Sequence, residues 1–289
     1  MASMKDIKRR KTSIQSTQQI TKAMKLVSTV RLQHAKTKAE KNHEYFMAMH
    51  KTICSILSRS GAVFHPYIMP GKSDRTAVIM ITSNRGLAGG YNNNVIKLIT
   101  KNDQTASWDK DKIDIYAIGT KGRDAFRRFG YNVVYDDSEC IEEPLYKDAQ
   151  KLCNVLLEEY SQGKIGEIYI AYTEFKNTVV HVPTLTKLLP LTSDPTEGAS
   201  EDSDVPMNYE LDEMDALDLI IPKYLSSFIY GAMLEASASE NGARMQAMDN
   251  ATSNAEDMIQ MLELQYNRAR QGSITQELTE IIAGAEAIS

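Results

Sequence analysis

The sequence predicts a mixed α/β protein: long N- and C-terminal helices that pair antiparallel, and between them in the chain a doubly wound α/β domain. Three observations carry this reading. Helix breakers are missing from both ends, the middle alternates short apolar runs with helical periodicity, and the two ends carry opposite charge. With 289 residues, 42% hydrophobic and 25% charged, the chain has room for a sizeable core and the composition of a soluble protein.

The first glycine is Gly61 and the first proline Pro66. Helices average about 11 residues, so a breaker-free run of this length is unusual. It is rich in Lys, Gln, Ala, Met and Glu, all good helix formers. A helix is expected over 1–60. Ile7, Ile14, Ile20, Met24, Val27, Val30, Tyr45, Met49, Ile53, Ile56 and Leu57 recur along it at threes, fours and sevens. About 55 helical residues span on the order of 80 Å, more than a domain of this size is wide, so the helix is expected to protrude. No proline follows Pro222, and apolar residues again recur at helical spacing from Leu225 to Ile282. A second coiled-coil helix is expected over 221–289, with Pro222 in its first turn, where a missing N–H costs nothing. Gly231, Gly242, Gly272 and Gly284 each cost this helix up to about 1 kcal/mol relative to alanine, while permitting close approach of a neighbour.

Residues 75–192 read as the central α/β domain. Ala77–Ser83, Ile113–Ile118, Asn132–Tyr135, Glu167–Tyr172 and a segment from Val179 toward Leu191 are the expected strands. Tyr91–Thr100, Arg123–Phe129 and Leu145–Gln162 are the expected helices. Strands alternating with helices imply a small Rossmann-like sheet. Residues 193–220 read as an acidic loop and linker, since Asp194 to Asp218 contains no Lys or Arg. No run of about 18 uncharged apolar residues is present, which excludes an integral membrane protein.

The net charge of -5 hides a polarity. From Lys5 to Lys41, Lys5, Lys8, Arg9, Arg10, Lys11, Lys22, Lys25, Arg31, Lys36, Lys38 and Lys41 stand against only Asp6 and Glu40. From Glu235 onward acids outnumber Arg244, Arg268 and Arg270. Opposite charges on two long helices would fix partner and orientation. Nucleic-acid binding by the basic helix is the competing reading. Aromatic residues are absent before Tyr45 and the chain is acidic, so no nucleic acid is expected.

No catalytic, cofactor or metal site is expected. Cys54, Cys140 and Cys153 make no CxxC, and His34, His43, His50, His65 and His181 make no ligand motif. Gly71-Lys72-Ser73 lacks the upstream glycine of a phosphate-binding loop, because Pro66 stands there. Thr82-Ser-Asn-Arg-Gly-Leu-Ala-Gly-Gly-Tyr-Asn92 lies where a phosphate turn would, after a strand and before a helix, but without the G-x-G-x-x-G spacing. Turn chemistry and close packing are the expected use of its glycines. The charged N-terminus has no apolar run behind it, so it is read as neither a secretory signal nor a transit peptide.

Ile20-Thr-Lys-Ala-Met-Lys-Leu-Val27 resembles the N-terminal helix motif of the gamma subunits of F-type ATP synthases. The Thr82–Asn92 segment is similar to that family's glycine-rich motif. Ala243-Arg-Met-Gln-Ala-Met-Asp-Asn-Ala-Thr-Ser-Asn-Ala255, Tyr266-Asn-Arg-Ala-Arg-Gln271 and Ile274-Thr-Gln-Glu-Leu278 are similar to its C-terminal signature. The resemblance spans the chain in order. Ala88 departs from a frequent cysteine. Asn241-Gly242 places a glycine inside the helix, which is expected to soften it locally. The regulatory cysteine-bearing insert of the chloroplast branch is absent, which favours a bacterial source.

The resemblance implies a non-catalytic rotor subunit whose coiled coil enters a ring of three alpha and three beta subunits. Its α/β domain would sit near the epsilon subunit and the c-subunit ring, at the cytoplasmic side of the cell membrane, which it would touch only through the complex. Under this resemblance Lys8, Arg9, Lys22, Met24 and Lys25 meet an acidic lever of the beta subunits. Arg244, Arg270, Gln271 and Thr275 form a polar latch. Ile274, Leu278, Ile281 and Ile282 form an apolar tip in its bearing. Read without the resemblance, each of these residues is equally a coiled-coil packing residue. The alternative function is a coiled-coil scaffold with a Rossmann-like head.

Overall fold

The computed structural model describes residues 4–59, 65–101, 105, 108–191 and 213–286. Its elements run α1 (Met4–Arg59), β1 (Thr76–Ile81), α2 (Tyr91–Thr100), a 3-10 turn (Lys110–Lys112), β2 (Ile113–Ile118), α3 (Thr120–Arg128), β3 (Asn132–Asp136), α4 (Tyr146–Ser161), β4 (Glu167–Phe175), β5 (His181–Leu189) and α5 (Glu213–Glu286). They form two compact units, one of Met1–Thr29 with Arg244–Ser289 and one of Val30–Ala243. These divisions differ from the boundaries expected at 60 and 221, because α1 and α5 each contribute residues to both units.

The second unit is built on a five-stranded sheet of order β3-β2-β1-β4-β5, in which β5 alone runs antiparallel to its neighbour. β1 is a continuous apolar run from Ala77 to Ile81, and β2 is apolar but for Asp114, because both of their faces are covered. Val95, Ile99 and Phe126, from α2 and α3, pack with Val78, Met80, Ile115 and Ala117 on one face. Leu152 and Leu156 of α4, with Leu225, Ile229 and Met233 of α5, pack with Ile79, Ile81, Ile118 and Ile170 on the other. Full burial of each such side chain contributes about 1.5–3 kcal/mol.

One polar clamp ties the starts of these strands. Arg75 Nε donates to Asp114 Oδ2 at 2.8 Å, and Asn132 Nδ2 donates to Asp114 Oδ1 at 2.6 Å. The Asp114 carboxylate is 7% exposed, a position it holds only because it is paired and hydrogen-bonded.

Within this unit α1 and α5 lie side by side. Asn42 Nδ2 donates to the Ser227 carbonyl at 3.3 Å, and Phe46 stacks on Tyr224 at 5.2 Å between centroids. Gly231 makes the approach possible, since a Cβ there would lie 2.9 Å from Asn42 Nδ2.

Helix α5 begins earlier than expected. Residues 213–220, read as part of the linker, are helical, and Pro222 lies inside the helix rather than in its first turn. Burial outweighs the cost of proline here: Ala216, Leu217, Ile221 and Leu225 are all buried. The Pro222 carbonyl is in turn occupied by Ser226 Oγ at 2.7 Å. The acidic residues from Asp194 to Asp212 lie outside the described part. By length and composition α5 also passes for a membrane span, against the sequence reading, but 56% of its apolar window is buried inside the protein. Gly242 does not interrupt the helix. A Cβ there would meet His181 Nε2 at 2.6 Å, so glycine lets α5 pass close to β5.

Gly119 combines φ +102° with a position where a Cβ would lie 2.0 Å from the Thr82 carbonyl oxygen. Gly119→Ala is expected to destabilise the chain by about 3 kcal/mol through backbone strain and overlap. Gly272, helical with open space around it, is expected to show the opposite sign on Gly272→Ala, a gain of up to about 1 kcal/mol. Thermal melts of the two variants check both.

Candidate functional site

In the first unit α1 and α5 form an antiparallel pair. Lys11 Nζ lies 2.9 Å from Glu263 Oε1, Thr21 Oγ1 2.8 Å from Thr252 Oγ1, and Lys25 Nζ 2.6 Å from Asp249 Oδ1. Numbers rise along one helix as they fall along the other. On α1, residues 7, 11, 14, 18, 21 and 28 are drawn inward; on α5, residues 248, 252, 255, 259, 262, 266 and 269 are. The spacing of threes and fours is that of a coiled-coil seam. The ion pairs that cross it are partly exposed, and each contributes about 0.2–1 kcal/mol.

This seam is not the one the apolar residues of α1 suggested. Ile20, Leu26 and Val27 are more than half exposed, while Thr21 and Ser28 are buried. A 3.5-residue repeat started from Ile7 selects Thr21 and Ser28 and turns Ile20 and Val27 outward, so the signal was in the sequence. Met258, Met261 and Leu264 of α5 are likewise exposed. This unit therefore carries outward-facing apolar residues on both helices, which the sequence reading missed.

The residues expected to meet a partner fall into three groups. Lys8, Arg9 and Lys22 are exposed, whereas Met24 and Lys25 are half-buried, with Lys25 committed to Asp249. Arg270, Gln271 and Thr275 are exposed, and Thr275 Oγ1 donates back to the Gln271 carbonyl at 2.9 Å. Arg244 differs from them: it is 7% exposed and engaged within the chain, so it offers a partner almost no surface.

Ile274, Leu278, Ile281 and Ile282 are 45–67% exposed. The cause is register. Lys11 lies opposite Glu263 and α1 starts at Met4, so α1 ends where α5 reaches about residue 270. The last four or so turns of α5 extend beyond the described start of α1 by about 24 Å. Exposed apolar residues clustered at such an end mark an interaction surface.

The glycine-rich segment is a brace. Ser83 N–H donates to Asn92 Oδ1 at 2.9 Å, and Thr120 N–H, at the start of α3, donates to Asn84 Oδ1 at 3.0 Å. Asn84 Nδ2 reaches the Ser138 carbonyl at 2.6 Å, and Arg85 pairs with Glu142 at 3.3 Å. Side chains of the segment thus fasten the end of β1 to α2 and to the start of α3. Leu87 (φ 63°) and Gly89 (φ 55°) supply its left-handed turns. Gly71, of the Gly-Lys-Ser run, packs directly on Gly166, whose Cα a Cβ at 71 would approach to 2.5 Å.

Among the described residues, no three His, Cys, Asp or Glu side chains converge as metal ligands. Cys140 and Cys153 are buried free thiols, and burial pushes Cys153 up to about 11, which leaves it mostly protonated and unreactive.

Comparison with known proteins adds to this geometry. Residues 3–288 match the family described as ATP synthase. The chain is 57% identical over 295 residues to the ATP synthase gamma chain of Lachnoclostridium phytofermentans, covering 100% of both chains. It is 46% identical over 288 residues to that of Alkaliphilus metalliredigens, covering 99% and 98%. Its fold is similar to a chain in the cryo-EM structure of the Euglena gracilis mitochondrial ATP synthase with OSCP, F1 and c-ring in rotational state 3. There the TM-score is 0.67 at 18% identity, covering 99% of this chain and 94% of that one. A paired-helix unit, a five-stranded α/β unit and full-length similarity to bacterial gamma chains together place the chain in the ATP synthase family, among its gamma subunits.

Proposed function

We propose that this chain is the central-stalk rotor of a bacterial F-type ATP synthase, transmitting rotation while ATP is made or hydrolysed on other subunits. The observation that carries the assignment of its surfaces is the unpaired apolar end of α5, a terminus built to sit inside something else. Ile274, Leu278, Ile281 and Ile282 are assigned to that bearing. Arg270, Gln271 and Thr275, exposed around the base of the tip, are assigned to a polar latch with the alpha and beta subunits. Arg244 would have to be uncovered to join them, and the latch is assigned without it.

Lys8, Arg9 and Lys22 are the residues with exposed charge to offer an acidic lever of the beta subunits. Met24 and Lys25 flank that surface, Lys25 in part neutralised by Asp249. The α/β unit is assigned to the foot, beside the epsilon subunit and the c-ring, at the cytoplasmic face of the membrane and peripheral to it. A single chain inside a threefold ring presents a different side to each beta subunit. Rotation then shifts which beta conformation is populated, and nucleotide binding pushes back on rotation with the same free energy. Nothing in this role requires the chain to be catalytic.

A tagged pull-down from gently solubilised membranes tests the assignment. Co-recovery of two larger subunits in threefold excess, with ATPase activity that the lone chain lacks, is expected. Recovery of a homodimer without ATPase would replace the rotor with the scaffold reading. Replacing both latch residues, Arg270→Ala with Gln271→Ala, is expected to lower ATPase and ion pumping of the assembled complex about tenfold, equivalent to losing about 1.4 kcal/mol of coupling. Unchanged rates would remove these residues from the latch. Ile281→Asp with Ile282→Asp is expected to reduce the yield of intact complex several-fold while leaving the helicity of the isolated chain unaltered, because both side chains are exposed there. Blue-native gels and circular dichroism separate the two effects.

A further inference from the structure

Residues 65–69 form a short turn ahead of β1, and three distant parts of the chain are tied to it. The turn closes on itself through the His65 carbonyl, which accepts from the Ile68 and Met69 N–H groups at 3.0 and 3.1 Å. The Leu191 N–H, at the exit of β5, donates to the Tyr67 carbonyl at 2.9 Å. Tyr160 Oη, near the end of α4, donates to the Met69 carbonyl at 2.9 Å. His65 Nε2 lies 3.1 Å from Asp218 Oδ1, in the first two turns of α5. Tyr67, Ile68 and Leu191 pack on the same core as Leu217 and Ile221, so the turn and the elements tied to it share one apolar support.

The His65 side chain is fully buried, whereas that of Asp218 is 67% exposed. A buried ring needs partners for both of its nitrogens, and here the partners fix where the hydrogen sits. Nδ1 accepts the Tyr67 N–H at 3.2 Å. The ring hydrogen is therefore on Nε2, where it is donated to the Asp218 carboxylate. A side chain that takes the N–H two residues on is what asparagine provides in a turn. His65 does the same and, unlike asparagine, carries a second nitrogen on the far side of its ring. Pro66 supports this geometry, because it fixes its own φ and keeps the residue before it in extended backbone.

We propose that His65 is a relay: its ring joins the Asp218 carboxylate to the Tyr67 N–H, so that the first turns of α5 and the exit of β5 are held or released together. Asp218 reaches Leu191 through Nε2–H, Nδ1, the Tyr67 N–H and then the Tyr67 carbonyl. Removing the carboxylate leaves a buried Nε2–H without an acceptor. Turning the ring or moving the hydrogen to Nδ1 relieves that cost, and either gives up the Tyr67 N–H. Coupling between two places in a fold needs a contiguous element with two arrangements, and the two tautomers of one ring supply them. The relay lies wholly within the α/β unit and stands independently of the rotor reading.

Hydrogen–deuterium exchange by mass spectrometry on the full-length chain, with fragmentation to single residues, reads the β5 end of the relay. Asp218→Ala is expected to raise exchange of the Leu191 N–H about tenfold, although residue 218 belongs to another element. His65→Asn keeps an acceptor for Tyr67 and cannot reach Asp218. It is expected to leave Leu191 protected, and adding Asp218→Ala to it is expected to change nothing further at Leu191. Long-range proton–nitrogen spectra of the chain with nitrogen-15 histidine read the tautomer. The His65 signals, assigned by their loss in His65→Gln, are expected to be those of the Nε2–H form, and Asp218→Ala is expected to move them toward a mixture of the two tautomers. An Nδ1–H ring in the unmodified chain, or Leu191 exchange that Asp218→Ala leaves unmoved, overturns the proposal. So does an equal rise at Leu191 when Asp218→Ala is made in His65→Asn. If His65→Asn does not fold, Leu191 exchange in Asp218→Ala alone decides.

Discussion

A helix can hide only one stripe of its surface against one partner, and in the paired-helix unit that stripe is mostly small or polar. Thr21 and Ser28 occupy seam positions on α1, Thr252 and Ala255 on α5. The other surfaces of the unit follow from this choice. With polar residues facing inward, Ile20, Leu26 and Val27 face outward, together with Met258, Met261 and Leu264. In a protein that worked alone, such a distribution would be a liability. In the proposed rotor, turning inside a ring of other chains, the outward residues would be the working surface, and the seam would need only to keep two helices in register.

The α/β unit is made differently. Its sheet is buried on both faces by large aliphatic side chains, and its polar groups serve as fixings at the ends of strands. Arg75, Asp114 and Asn132 fasten the starts of β1, β2 and β3. Asn84 and Asn92 fasten the exit of β1 to α3 and to the segment after β3. Ser239 Oγ takes the Thr173 carbonyl where β4 runs past the end of β1. The segment after the first strand uses its asparagine side chains as fixings between elements.

The fold was legible because its signals were long. About 60 residues without glycine or proline, and apolar runs such as Ala77–Ile81 and Ile113–Ile118, leave few alternatives, and the strands fall within a residue or two of where those runs begin and end. The start of α5 was misread because Pro222 is a strong local signal, whereas the burial of Leu217 and Ile221 against distant elements leaves none. The inward face of α1 was misread because apolar residues were weighed above strict spacing. The surface residues were legible only through family resemblance. Composition does not distinguish an exposed isoleucine that awaits a partner from one in a seam, and it did not reveal that Arg244 is buried.

The overhang of α5 gives the chain a clock. About four turns of helix with no neighbour among the described residues fray readily, since an isolated helix of that length is marginal in water, and a small polar seam behind them offers limited resistance. An end that frays is open to proteases wherever no other chain covers it. If the proposed bearing encloses these residues, assembly protects them, and the lifetime of the subunit follows its incorporation.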